Sequence, residues 1–253
     1  MKLFSATETR LSLAEISSRL EMPKSTTHNL LNTLLSQDYI EKVEGDLYAL
    51  GTAPIALTQN VRVNVEIRDP AAPLLRELAD TSRESVYLTV KDGDYALYIY
   101  AIESPRRLLA RTAVGDRMPL HCTSVGKAIL AFLPYQEVIQ IVDRVGLAAS
   151  TPNTITDLNS LWQELEQTQT RGYSLDNEEN ESNTFCVGGP IFNAKGWVIG
   201  SCSVSGADPQ IVNERLPELS ALVVYTTQQI SRRMGYVPDR LGRVTHFSTS
   251  LIT

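Results

Sequence analysis

Two stretches near the N-terminus carry apolar residues at helical spacing, and the chain between them is very short. Ser12-Leu13-Ala14-Glu15 is an S-x-x-E capping box, and Leu13, Ile16 and Leu20 follow at i, i+3 and i+7 on one face. Glu21 and Met22 make the connection, and Pro23 suits the first position of a second helix, where its missing N–H is not needed. In that second stretch, residues 24–36, Leu30, Leu31, Leu34 and Leu35 cluster on one side with Thr27 among them. Ser25, Asn29, Asn32, Thr33 and Ser36 form the opposite side, with Thr26 and His28 at its margins. Two short helices joined by a tight turn predict a helix-turn-helix. Residues 39–43 and 47–50 then read as strands around the turn Glu44-Gly45-Asp46, a hairpin placed where a winged-helix domain carries its wing.

Residues 53–68 read as a linker helix with little core of its own. Asp69-Pro70 predicts a new helix, capped by Asp69 and carrying Leu74, Leu75 and Leu78. Beyond it strands and helices alternate. Residues 86–102 form a hairpin with a polar Asp92-Gly93-Asp94 tip; helices cover 124–132, 136–145, 157–170 and 213–234; strands cover 173–176, 185–192 and 197–205. This order predicts an α+β fold, an antiparallel sheet flanked by helices.

Composition narrows the function classes. No run of eighteen apolar residues is available to cross a bilayer, and residues 1–10 lack the apolar block of a secretion signal. Cys122, Cys186 and Cys202 are far apart and odd in number, which fits a reducing cytoplasm. The histidines His28, His121 and His246 share no short ligand spacing with a cysteine, so neither a metal nor another cofactor is expected. The net charge of −6, and the 5 basic against 7 acidic residues within 1–60, run against the usual electrostatics of nucleic-acid binding.

The side chains of the second helix nevertheless suit base recognition. Asn pairs bidentately with adenine, Ser and Thr serve base or phosphate, and a Thr methyl packs on thymine. A helix N-terminus adds unpaired N–H groups and a positive dipole end, and Lys24 beside it reads as a phosphate contact. Ser25, Thr26 and Asn29 are the foremost candidates, because recognition helices place their N-terminal residues nearest the bases. His28, Asn32 and Thr33 complete the set. The plainer reading is an amphipathic helix with a solvated polar face.

In this order and spacing, PKSTTHNLL (23–31), YALG (48–51), LHCTSVGKAILAFLP (120–134) and the 172–206 segment resemble the IclR-type bacterial transcriptional regulators, from about residue 12 to 236. The resemblance implies a winged helix-turn-helix over 1–52, a linker helix over 53–68, a GAF-like effector domain over 69–236 and a tail over 237–253. It implies a double-stranded DNA operator, a small carboxylate effector, a homodimer or dimer of dimers, no membrane association and no catalysis. By matching positions, the amides of Ser124 and Val125 hold the effector carboxylate, and Asp176, Cys186, Ser203 and Ser205 complete the pocket. Ala110, Met118 and Thr184 line the wall that selects the ligand, with sugar acids, keto acids and aromatic acids all fitting the polar inventory.

Three features depart from the family pattern. Few residues precede the capping box, so the first helix is expected to be short. Glu21 stands where the turn usually holds Gly, and a positive φ there would cost about 1 kcal/mol. Positions commonly basic in the family are Asn29, Asp46 and Ala49 here. Two other readings stay open: a small-molecule-binding protein that has lost DNA binding, and a hydrolase using Cys186, His121 and Asp176 as nucleophile, base and orienter. Each pocket residue also has a plainer role: Cys186 as a buried small hydrophobe, Asp176 in a solvated acidic loop, Ser203 and Ser205 as ordinary strand hydroxyls.

Overall fold

The computed structural model describes residues 3–4, 8–59, 61, 64–104 and 114–237. The chain divides into two units, 1–65 and 66–253.

The first unit contains β1 (Arg10–Ser12), α1 (Leu13–Arg19), α2 (Lys24–Leu35), β2 (Ile40–Val43), β3 (Leu47–Leu50) and α3 (Ala53–Gln59). Its three strands are antiparallel in the order β1-β3-β2, with Leu11 and Lys42 both opposite Tyr48. Leu11, Ile16, Leu31, Ile40 and Tyr48 form the core, closed by the half-buried Leu3, Phe4, Leu13, Leu34 and Leu35. The helix-turn-helix and hairpin stand where the hydrophobic pattern puts them. Four details differ. The regular element among the described residues ahead of Leu13 is the strand β1, not a helix. Pro23 is the residue before α2 rather than its first turn, and its carbonyl accepts the Thr27 N–H at 3.0 Å. Leu20 and Leu30, both assigned to apolar stripes, are exposed, because the small core is filled by residues one turn away.

A π-helical turn (Asn64–Arg68) spans the division between the units and runs directly into α4 (Asp69–Ser82). Asp69 is thus the first helical residue and not a cap; its carboxylate pairs with Arg68 at 2.8 Å. Then follow β4 (Ser85–Asp92), β5 (Tyr95–Ile102), β6 (Arg117–Pro119), α5 (Ser124–Leu130), α6 (Tyr135–Val145), α7 (Leu158–Arg171), β7 (Ser174–Asn177), β8 (Phe185–Phe192), β9 (Val198–Gly206), a 3-10 turn (Pro209–Val212) and α8 (Leu216–Arg233). The six strands pair antiparallel in the order β6-β5-β4-β9-β8-β7. β8 and β9 are buried along nearly their whole length, as strands covered on both faces must be. α4 and α8 pack together on one face; α5, backed by α6 and α7, covers the other through Leu120, Val125, Ile129, Leu161 and Leu165. Asp157, read from the sequence as the first residue of a helix, is instead the cap of α7, accepting the Ser160 N–H at 2.9 Å.

Candidate functional site

In the first unit the site is built from the capping box outward. Ser12 Oγ accepts the Glu15 N–H at 3.3 Å, and the Glu15 carboxylate accepts the Ser12 N–H at 2.7 Å, closing both ends of the box. The turn after α1 puts Glu21 at φ +52°, and the Ser17 hydroxyl ties it by donating to the Met22 carbonyl at 2.6 Å. Thr27, buried as expected, donates its hydroxyl to the Pro23 carbonyl at 3.1 Å and so fixes how α2 enters. α2 then presents Lys24, Ser25, Thr26, His28, Asn29, Asn32 and Thr33 to solvent together. His28 Nδ1 and Asn32 Nδ2 lie 3.3 Å apart, and Thr33 donates its hydroxyl to the Asn29 carbonyl at 3.2 Å.

The charge around this face is largely internal. Arg19 makes two hydrogen bonds of 2.6 Å to Glu8, and Lys42 pairs with Asp46 at 3.0 Å while lying over the Tyr48 ring. Among the described residues of this unit, Arg10 and Lys24 are the cations outside such pairs.

In the second unit the sheet assembles a polar row. Asp176 on β7 is opposite Cys186 on β8, which is opposite Ser205 on β9. The next row along, two residues away and on the same face, runs Ser174, Gly188, Ser203 and Tyr87. Ser203 and Ser205 hydroxyls lie 3.3 Å apart. The start of α5 sits directly on these rows. A Cβ on Gly188 would collide with the Ser124 backbone, and one on Gly126 with the Leu120 backbone, so both glycines are dictated by close approach. Thr123 caps α5 by accepting the Gly126 N–H at 3.1 Å. The N–H groups of Ser124 and Val125, in the first turn, have no carbonyl one turn earlier within the helix to bond.

Between these elements lies a cavity of about 30 Å³. Its walls include Ser124, Asp176, Thr184, Cys186, Ser203 and Ser205, which the sequence places there. The remaining walls, Tyr87, Tyr98, Thr123, Asn180 and Glu181, were not foreseen. Tyr87 and Tyr98 meet edge-on, with ring centroids 5.5 Å apart. Val125 turns its side chain into the apolar cluster under α5 and is not among the cavity walls. Met118 packs on the same cluster and is not among the cavity walls, because β6 pairs at the outer edge of the sheet. Ala110 lies outside the described residues.

The electrostatics are unusual for a polar pocket. Asp176 accepts from the Glu179 and Asn180 N–H groups at 2.8 and 3.4 Å, yet burial, with the Glu179 charge beside it, raises its pKa to about 7. Far from sitting in a solvated acidic loop, it is 2% exposed. Burial also pushes the Cys186 thiol far up, with Asp176 adding to the effect, so the thiolate a nucleophile requires is disfavoured. His121 binds the Ala148 carbonyl through Nε2 at 3.1 Å and is not a wall of the cavity, which leaves the hydrolase reading without its base. Beneath the cavity Lys127 is wholly buried, 2.5 Å from Glu179 and 3.6 Å from Glu164, which also binds Arg171 at 2.5 Å. Nothing in the sequence marks this ion cluster, whose members come from α5, α7 and the loop after β7.

Comparison with known proteins agrees with this organisation. Residues 1–44 match the IclR helix-turn-helix domain and residues 59–232 the bacterial transcriptional regulator IclR C-terminal domain. The HTH-type transcriptional regulator KdgR of Escherichia coli is 34% identical over 230 residues, 90% of this chain and 88% of that one. The crystal structure of the Thermotoga maritima IclR is similar with a TM-score of 0.77 and 31% identity, covering 90% of this chain and 92% of the other. An IclR homolog from Microbacterium hydrocarbonoxydans, crystallised with 4-hydroxybenzoate, shares the fold with a TM-score of 0.83 at 20% identity, covering 92% and 95%. Its relatives are transcriptional regulators rather than enzymes, and no helix among the described residues is long and apolar enough to cross a membrane. With a helix-turn-helix followed by a pocketed α+β domain, and both matched by the same family, this chain belongs to the IclR family of bacterial transcriptional regulators.

Proposed function

We propose that this regulator reads an operator through the exposed face of α2, with Ser25, Thr26, Asn29, Asn32 and Thr33 toward the bases and Lys24 and His28 toward phosphates, and that a small organic acid in the second-unit cavity controls it. The observation that carries the reading is the exposure of those seven residues on a helix whose opposite side is locked into the core. Among the described residues no cation lines the cavity, and the neutral donors there, the first-turn amides of Ser124 and Val125 and the surrounding hydroxyls, hold the acid's carboxylate. Asp176 and the Ser203–Ser205 pair then serve hydroxyl or keto groups of the same ligand. The narrow free space favours a compact acid and requires the walls to move apart on binding. Ligand binding shifts the population of arrangements of two or four copies, and half-sites must lie about 34 Å or a multiple apart for two recognition helices to bind together. The chain then works in the cytoplasm without a cofactor.

The test is a mobility-shift titration of the pure protein with the duplex upstream of its own gene, at low and rising salt. A retarded complex that weakens with salt supports the proposal. Absence of a complex at every salt concentration favours the alternative of a ligand-binding protein without DNA binding, toward which the internal pairing of Arg19 and Lys42 points.

A further inference from the structure

We infer that Leu30, with the methyl groups of Thr26 and Thr33, forms a thymine-reading edge on α2, so that the bases under this helix are predominantly A·T pairs. The inference rests on the proposed DNA reading and names the duplex class that this face takes. Leu30 is 49% exposed, although Thr27, one turn before it, and the adjacent Leu31 are buried. A single exposed leucine is ordinary on a protein surface. This one is set apart by its place. Thr26 lies four residues before it and Thr33 three after, and both are exposed, so the three side chains adjoin along one edge of the outward face. Thr33 also uses its hydroxyl on the Asn29 carbonyl, which leaves the methyl as the group it offers. On the other flank, Ser25, Asn29 and Asn32 supply hydrogen-bonding groups. The face is therefore split lengthwise into an apolar edge and an amide-and-hydroxyl edge.

Base-pair chemistry gives this split a meaning. A thymine presents a C5 methyl and an O4 acceptor in the major groove, and its adenine presents N7 and N6, which an Asn amide matches in two hydrogen bonds. Guanine is read by Arg or Lys and cytosine by Asp or Glu. α2 contains no Arg, Asp or Glu, and its one lysine, Lys24, stands at the first position, where phosphate contacts are made. The helix thus holds the amides and methyls that suit A·T pairs and, past its first residue, lacks the Arg, Lys, Asp and Glu that read G·C pairs. Contact with a thymine methyl would also remove from water the leucine surface that the folded unit leaves exposed.

The experiment selects bound duplexes from a random pool with the full-length protein, then replaces thymine by deoxyuridine, one position at a time, in the best sequence. The expected result is A·T pairs at the centre of each half-site, with at least one replacement weakening binding about fourfold, the effect of losing one buried methyl-sized group. Leu30→Ala should weaken the thymine duplex by a similar factor and bind thymine and deoxyuridine duplexes equally at that position. Selection of G·C pairs there, or an unchanged thymine preference in Leu30→Ala, overturns the inference while leaving DNA binding in place. Failure to select any duplex overturns the DNA reading itself. Sedimentation of Leu30→Ala without DNA supplies the remaining arm: a changed oligomeric state assigns Leu30 to a protein–protein contact and overturns its role as a base reader.

Discussion

Replacing Lys127 by Met should remove the buried ammonium while keeping a side chain of similar length, which leaves Glu179 as an uncompensated charge. Lys127 has no exposed surface and touches Glu179 at 2.5 Å, while Glu164 retains Arg171 as a partner. Glu179 Oε2 has no hydrogen-bond partner among the described residues, so Lys127 is the main compensation for this charge. Breaking a buried pair on one side costs about 3–5 kcal/mol, whereas replacing both partners by apolar groups is often neutral or stabilising. The single variant should therefore lose stability on that scale, on the order of 10 °C in melting temperature for a unit of this size. Lys127→Met combined with Glu179→Leu should recover most of it. The sign with pH follows from the orphaned carboxyl. Burial already raises the Glu179 pKa, and Lys127 is the leading opposing influence. Without Lys127 the pKa rises further, so the loss is largest at neutral pH and shrinks as acid protonates Glu179. Urea titrations of wild type, both singles and the double at pH 5 and 7.5 measure all of this. A double variant no more stable than the Lys127→Met single would refute the argument, because the loss would then lie in packing and not in charge.

Asp176→Asn should flatten the stability–pH profile. Its folded pKa of about 7 lies above the ordinary carboxylate value, so the wild type loses roughly 1.4 kcal/mol per pH unit from this group between about 4 and 7, which the amide would abolish; identical slopes would contradict the assignment. Cys122, Cys186 and Cys202 are buried, with the Cys122 and Cys202 thiols pushed up to about 11 and 12. An aromatic disulfide reagent at pH 8 should therefore react with the native protein only as fast as it opens, and a rapid one-equivalent burst would instead revive a nucleophilic Cys186. Glu21→Gly should stabilise the first unit by roughly 0.5 kcal/mol in thermal unfolding, since Gly relieves the left-handed strain at φ +52° but adds freedom to the unfolded chain; a destabilised variant would show that Glu21 makes a compensating contact.

Local signals were the legible part. Ser12 and Glu15 announce a helix start through bonds made within four residues, and 185–192 and 197–205 read directly as strands. β1 and β6 escape such reading because each has three residues and exists only through its partner strand. Leu30 was misplaced because a helical wheel ranks residues by angle alone, whereas the five-residue core of the first unit admits a narrower stripe. In the pocket, Asp176, Cys186, Ser203 and Ser205 were legible by resemblance. Tyr87 and Tyr98 were not, since β5 carries three tyrosines, Tyr95, Tyr98 and Tyr100, and nothing local marks which of them, or the single Tyr87 of β4, lines the cavity. The Lys127 cluster is the extreme case: its closest partner is 52 residues away, and a lysine in a short helix ordinarily reads as solvated.

The two-module account is tested most directly by measuring duplex affinity and small-acid thermal shifts side by side in Asn29→Ala and Asp176→Ala. It predicts that Asn29→Ala weakens operator binding and leaves stabilisation by the acid intact, and that Asp176→Ala does the reverse. Loss of both activities in both variants would contradict it.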